Sequence, residues 1–339
     1  MINNKKDFKV LQYQERIHFI DIAKGLGIWL VIIGHLNTNE FLHNMIYSFH
    51  MPFFFFLSGY LNKESTKIGS LIGKKGRTLL IPYLFFGLLS IFIMLFFKVV
   101  LNNPIQSKHL NDIIRITYYN GNPLPINKVI WFLMVLFWVE MFHFFLIKMN
   151  LALKLGISFV FGYFISIYLI NTHIRLPFGI DIVPMALSFF YMGIALKKYI
   201  IKRISISKQK MGLIFLVAFC FLLFLNLWFK PNINMMNLKY DNPILLISSF
   251  IAGTAMLMCI SKMINKNFFI AFYGCNSLIV LGLHGIVVRL SNSLMKAFDF
   301  YLDWYIIFLF VLAILYPLIK ILNSYFPIFV GKTYKLKTL

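Results

Sequence analysis

The chain has 339 residues, of which 60% are hydrophobic, 18% aromatic and 13% charged, with a mean hydropathy of +0.79. A soluble domain carries about 25% charged residues, so these proportions exclude one and imply an integral membrane protein. The formal net charge of +22 would suit nucleic acid in a soluble chain, but in a membrane chain basic residues first mark the loops that stay in the cytoplasm, and no nucleic-acid partner is expected.

Apolar runs predict spanning helices at 17–36, 43–61, 79–100, 128–147, 152–170, 180–197, 211–229, 243–262, 268–289 and 304–323, because each approaches the roughly 20 residues that a helix needs to cross the hydrocarbon core. The expected fold is therefore all-α, a polytopic bundle of about ten helices around a central cavity. Residues 1–16 and 324–339 flank one membrane domain at 17–323. The stretch from Met1 to Arg16 is basic, as the start of a signal peptide would be. The run after it holds Asp21 and Lys24 and lacks a small-residue cleavage site, so it is expected to be retained as the first span.

That first span carries an acid, a base and a histidine where charges are expensive and usually face a protein interior. At 100° per residue Asp21, Lys24, Ile28 and His35 share a narrow stripe, with the rest of the helix expected to face lipid. The second span opens with His50 and Pro52 and runs through a phenylalanine tract to Ser58 and Gly59, where Ser58 reads as a small-residue helix contact rather than a nucleophile. A basic segment, Lys63 to Arg77, leads into the third span. In the fourth, Glu140 and His143 share a face at i and i+3, half of a metal site with no matching second half, so no metal is expected. Arg175, Asp181, His284 and Arg289 fall near the expected outer face, where both arginines can simply snorkel. Cys220, Cys259 and Cys275 lie in apolar runs and read as packing residues.

With an even number of spans both termini share a side. Placing them in the cytoplasm puts about 22 of the 33 Lys and Arg on the inner segments and about nine on the outer ones. The inner excess concentrates at Lys63 to Arg77 and Lys197 to Lys210. The larger outer segments, 101–127 and 230–242, are rich in Asn, Pro and Tyr. No repeat at a fixed period is visible, which counts against a transporter built from duplicated halves.

Lys24, ten intervening residues and His35, then SFHMPFFFFLSGYL with Phe54, Phe55, Ser58 and Gly59, form a recognisable series. LLIPY at Leu79 to Tyr83, WFL at Trp131 to Leu133 and NSLIVLGLH at Asn276 to His284 extend it. In this order the motifs resemble the membrane-bound acyltransferase 3 family, closest to its fucose 4-O-acetylase-like branch. The resemblance implies a membrane O-acyltransferase that takes an acyl group, acetyl above others, from cytoplasmic acyl-CoA to a hydroxyl of a lipid-linked or exported sugar. Acyl-CoA is then a co-substrate, no cofactor is bound permanently, and the setting is the bacterial cytoplasmic membrane and its lipid. Lys24 stands where the family often has Arg, and its RxxR element appears as Lys74 to Arg77.

His35 suits the role of general base, since an O-acyl transfer needs a group of near-neutral pKa to take the hydroxyl proton. Asp21 and Lys24 either neutralise each other or serve the site, with Lys24 facing the donor and Asp21 orienting it. Lys74 and Arg77 either hold the donor's phosphates or mark topology alone. His50, Glu140 and His284 are candidates to line the acceptor pocket. Two other classes fit a polytopic chain, a polysaccharide or glycolipid transporter lined by the same stripe and a glycan polymerase or ligase.

Overall fold

A computed structural model describes residues 4–65, 67–100, 127–200 and 207–332. The expected outer segment 101–126, part of the basic loop at 201–206 and the end of the C-terminal flank lie outside them. The fold is all-α and polytopic: among the described residues eight helices are long and apolar enough to cross a membrane. The single sheet among the described residues pairs two two-residue strands, Ile233–Asn234 and Lys239–Tyr240. The chain divides into two compact units, Met1–Phe54 with Ile201–Ile233 and Asp241–Ser277, and Phe55–Ile200 with Asn234–Tyr240 and Leu278–Leu339.

In the first unit α1 (Asn4–Gly34) is the central helix, and it meets α2 (Glu40–Tyr47), α10 (Pro243–Ile264) and α11 (Phe268–Cys275). No residue from His18 to Leu36 is exposed, so the expectation of one polar face with lipid around the rest is corrected. From His18 to Leu36 it is buried or half-buried. Its contact with α11 is backbone to backbone: a Cβ on Gly25 would collide with the Ile270 carbonyl oxygen, and one on Gly274 with that of Asp21. Such an approach requires glycine and sets the depth of the Asp21 segment. By contrast α9 (Lys208–Trp228), packed on α10, exposes Leu213, Leu216, Val217, Leu227 and Trp228, as a lipid-facing helix does.

Two expected spans are divided. Helix α3 (His50–Leu61) is separate from α2, because in an unbroken helix Pro52 has no N–H for the Ser48 carbonyl and its ring clashes with it. The chain breaks at Ser48 and Phe49 and restarts with Pro52 in a first turn, where no N–H is needed. The run at 268–289 splits likewise into the eight-residue α11 and α12 (Ser277–Ala297), with Asn276 donating its side-chain N–H to the Phe272 carbonyl oxygen at 2.8 Å. The spanning helix starts nine residues later than expected.

The second unit holds the rest of α3, then α4 (Ile68–Lys75), which continues through a π-helical turn at Gly76–Leu80 into α5 (Ile81–Val100). It continues with α6 (Trp131–Phe145), α7 (Leu151–Asn171), α8 (Val183–Ala195), α12 from Leu278 and α13 (Trp304–Tyr325). Helices α3 and α8 touch through glycine, since a Cβ on Gly59 would strike the Phe190 carbonyl oxygen and one on Gly193 that of Phe56.

Candidate functional site

The break between α2 and α3 gathers three histidines of the first unit. Asn39 caps α2, its Oδ1 accepting from Leu42 N at 2.8 Å, so His43 and Tyr47 share one side at i and i+4, and the break brings His50, the first residue of α3, against them. The His43 ring stacks on Tyr47 at 4.0 Å between centroids, and His50 meets the same ring edge-on at 4.8 Å. His35, in the turn just past α1, approaches from the other side, its Nδ1 3.5 Å from the Tyr47 hydroxyl and its ring 6.1 Å away. One tyrosine therefore touches three histidines.

His50 is buried, and its Nδ1 donates to the Ile46 carbonyl oxygen at 2.8 Å, which leaves Nε2 as the acceptor of the neutral ring. His35 is half-buried. Lower on α1, Lys24 Nζ lies 3.7 Å from Asp21 Oδ1, with Asp21 buried and Lys24 about a quarter exposed at 28% of its side chain. At that separation the two form a loose ion pair rather than a hydrogen bond.

The second unit holds a different cluster. Glu140 is ion-paired with Lys75, in the basic segment that leads into α5. Lys74 and Arg77, on either side of that lysine, are exposed. One turn along α6, His143 Nε2 accepts from the Asn62 amide at 3.0 Å, and its ring lies against Phe190 and Tyr191 at 5.2 and 5.7 Å. Lys197 donates to the Asn62 carbonyl oxygen at 2.9 Å. His284 is fully buried and donates from Nδ1 to the Val280 carbonyl oxygen at 2.9 Å.

Arg175 does not snorkel. It donates to the buried Asp181 at 2.5 Å and to the Met236 carbonyl oxygen at 2.9 Å, tying two loops together. Burial and the Asp181 charge hold the neighbouring Tyr240 phenol well above its ordinary range.

The structure thus brings His35 and His50 together, and Asp21 with Lys24. In the second unit Glu140 joins the basic segment and His284 lies in α12. Sequence reasoning missed Tyr47 and His43, although their helical spacing could have revealed them. It also passed over Lys154, for which a span-by-span reading held no signal.

The family model described as acyltransferase domain matches residues 17–322. Two curated relatives share one short region: the nodulation protein NolL of Mesorhizobium japonicum is 40% identical over 79 residues, 19% of this chain and 21% of its own. NolL of Sinorhizobium fredii is 39% identical over 79 residues, 19% and 22% respectively. The chain thus spans about a fifth of the length of the curated relatives it matches. No solved structure matches.

Proposed function

Because the chain belongs to the membrane acyltransferase 3 family, we propose that it transfers an acyl group, acetyl above others, from cytoplasmic acyl-CoA to a hydroxyl of a lipid-linked or exported glycan. The observation that carries this reading is the contact of His35 with Tyr47 at the end of a helix that is buried or half-buried from His18 onwards. With Nδ1–H directed at the phenol oxygen, Nε2 of His35 holds the lone pair that a base requires. The acceptor hydroxyl attacks the thioester carbonyl, the C–O bond forms and the C–S bond breaks. His35 takes the hydroxyl proton and returns it to the departing thiolate. Tyr47 fixes the ring's orientation, and His50 packs edge-on against the same tyrosine.

Residues 17–323 form the catalytic domain, with both flanks in the cytoplasm of a bacterial cell and the donor entering beside Lys74 and Arg77. The exposure of those two side chains leaves them open to a phosphate. The test is transfer itself: full-length protein in lipid is given labelled acetyl-CoA and a surface-glycan extract. Label on the glycan is expected, and an unlabelled glycan with active protein overturns the reading. Orientation is checked by single-cysteine labelling from outside, where a cysteine at Ser207 should stay unmodified.

A further inference from the structure

Lys154 is 6% exposed, and among the described residues its ammonium meets the Ile147 carbonyl oxygen at 3.4 Å and the face of Tyr191, 5.2 Å from the ring centroid. No carboxylate among the described residues lies within ion-pair distance of it, and Glu64, whose charge it feels, is exposed. Buried charges are normally paired. This one also sits in the first turn of α7, the helix end whose dipole disfavours a cation.

Its neighbours share the deficit. Tyr191 is fully buried, and its hydroxyl has no partner among the described residues. His143 is 5% exposed; with Nε2 accepting from Asn62, its Nδ1 carries the proton and meets no acceptor among the described residues. His143 lies within electrostatic reach of both Lys154 and Lys75. Lys75 is balanced by Glu140, so the uncompensated charge is that of Lys154. The cluster therefore holds an ammonium, an imidazole N–H and a phenol O–H around one ring, three donors in want of an anionic acceptor.

We propose that Lys154, His143 and Tyr191 form a binding site for a phosphate group, reached from the end of the unit where Asn62 and Lys197 lie. Three donors and a net positive charge suit a phosphate, which offers more acceptor oxygens and more negative charge than a carboxylate. Lysine binds phosphate as a compact point charge. The phosphate comes either from the coenzyme A part of the donor, which rests on the transfer reading, or from the headgroup of an anionic lipid, which does not.

The experiment measures binding without transfer. Full-length protein in phosphatidylcholine nanodiscs is titrated with unacylated coenzyme A, and its melting is compared in nanodiscs with and without phosphatidylglycerol. Lys154→Met keeps the stem over Tyr191 and removes the charge; Lys154→Arg keeps the charge; Tyr191→Phe keeps the ring. If the phosphate is the donor's, Lys154→Met weakens coenzyme A binding about tenfold or more and Lys154→Arg restores it, because the lost contact is charge-assisted. If it is the lipid's, phosphatidylglycerol raises the melting temperature of the wild type but not of Lys154→Met, and coenzyme A affinity is unchanged. In either case Tyr191→Phe shows the same loss in smaller measure. A folded Lys154→Met protein that responds to both ligands as the wild type does overturns the site. A protein that binds phosphate through Lys154 but labels no glycan keeps the site and loses the transfer reading.

Discussion

The two polar clusters differ in how far apart in the chain their members lie. The histidine cluster of the first unit comes from residues 35 to 50, and its order is set by one cap, one proline and one helical face. The lysine cluster of the second unit comes from residues 62 to 197 and exists only once α3, α4, α6, α7 and α8 are packed. Their chemistry differs in the same sense. Imidazole rings stacked and edge-on around one tyrosine suit proton movement, whereas ammonium groups around buried donors suit anion binding. A local cluster tolerates loss of one member with the fold intact, and a long-range one does not when the lost member neutralises a buried charge.

The largest expected effect is at His35. His35→Gln keeps a polar group of similar size without a basic nitrogen, so labelled acetyl transfer should fall about 10²- to 10⁴-fold while membrane insertion and melting stay near the wild type. Full activity in this variant would remove the base role. In the second unit the first effect should be on stability. Glu140→Ala strands Lys75 and should cost about 3 kcal/mol, read as a lower melting temperature, and Glu140→Met with Lys75→Met should recover most of it. A single variant as stable as the wild type would mean that the pair is no more than a surface contact.

Next in size is the exposed basic pair. Lys74→Ala with Arg77→Ala should weaken coenzyme A binding about tenfold or more, since charge-assisted bonds to phosphate are worth roughly 1.5–3 kcal/mol each. Unchanged affinity at moderate salt would leave these charges to topology alone. The smallest effect belongs to Tyr47→Phe, which removes one neutral hydrogen bond worth about 0.5–1.5 kcal/mol. It should lower kcat roughly two- to tenfold with KM unchanged, and Tyr47→Leu, which also removes the ring, should lower it further. Equal activity in both would mean that the ring does not position His35.

Composition alone determined that the chain lives in a membrane, because burying so many apolar side chains with so few charges has no soluble solution. Most spans were legible for the same reason, and the ordered motifs from Lys24 to His284 pointed to the family that the domain match bears out. His35 stood out because a histidine with two charges in one span is costly enough to need a reason. Where a span breaks was not legible from hydropathy, which counts side chains and ignores the missing N–H of Pro52 and the side-chain bond of Asn276. Only the tertiary structure could decide that α1 is buried or half-buried from His18 to Leu36, because Gly25 and Gly274 act through a backbone contact between helices some 250 positions apart. It also decided that Glu140 answers Lys75 and that no carboxylate among the described residues answers Lys154, since the partner of a buried charge is chosen by packing and not by spacing.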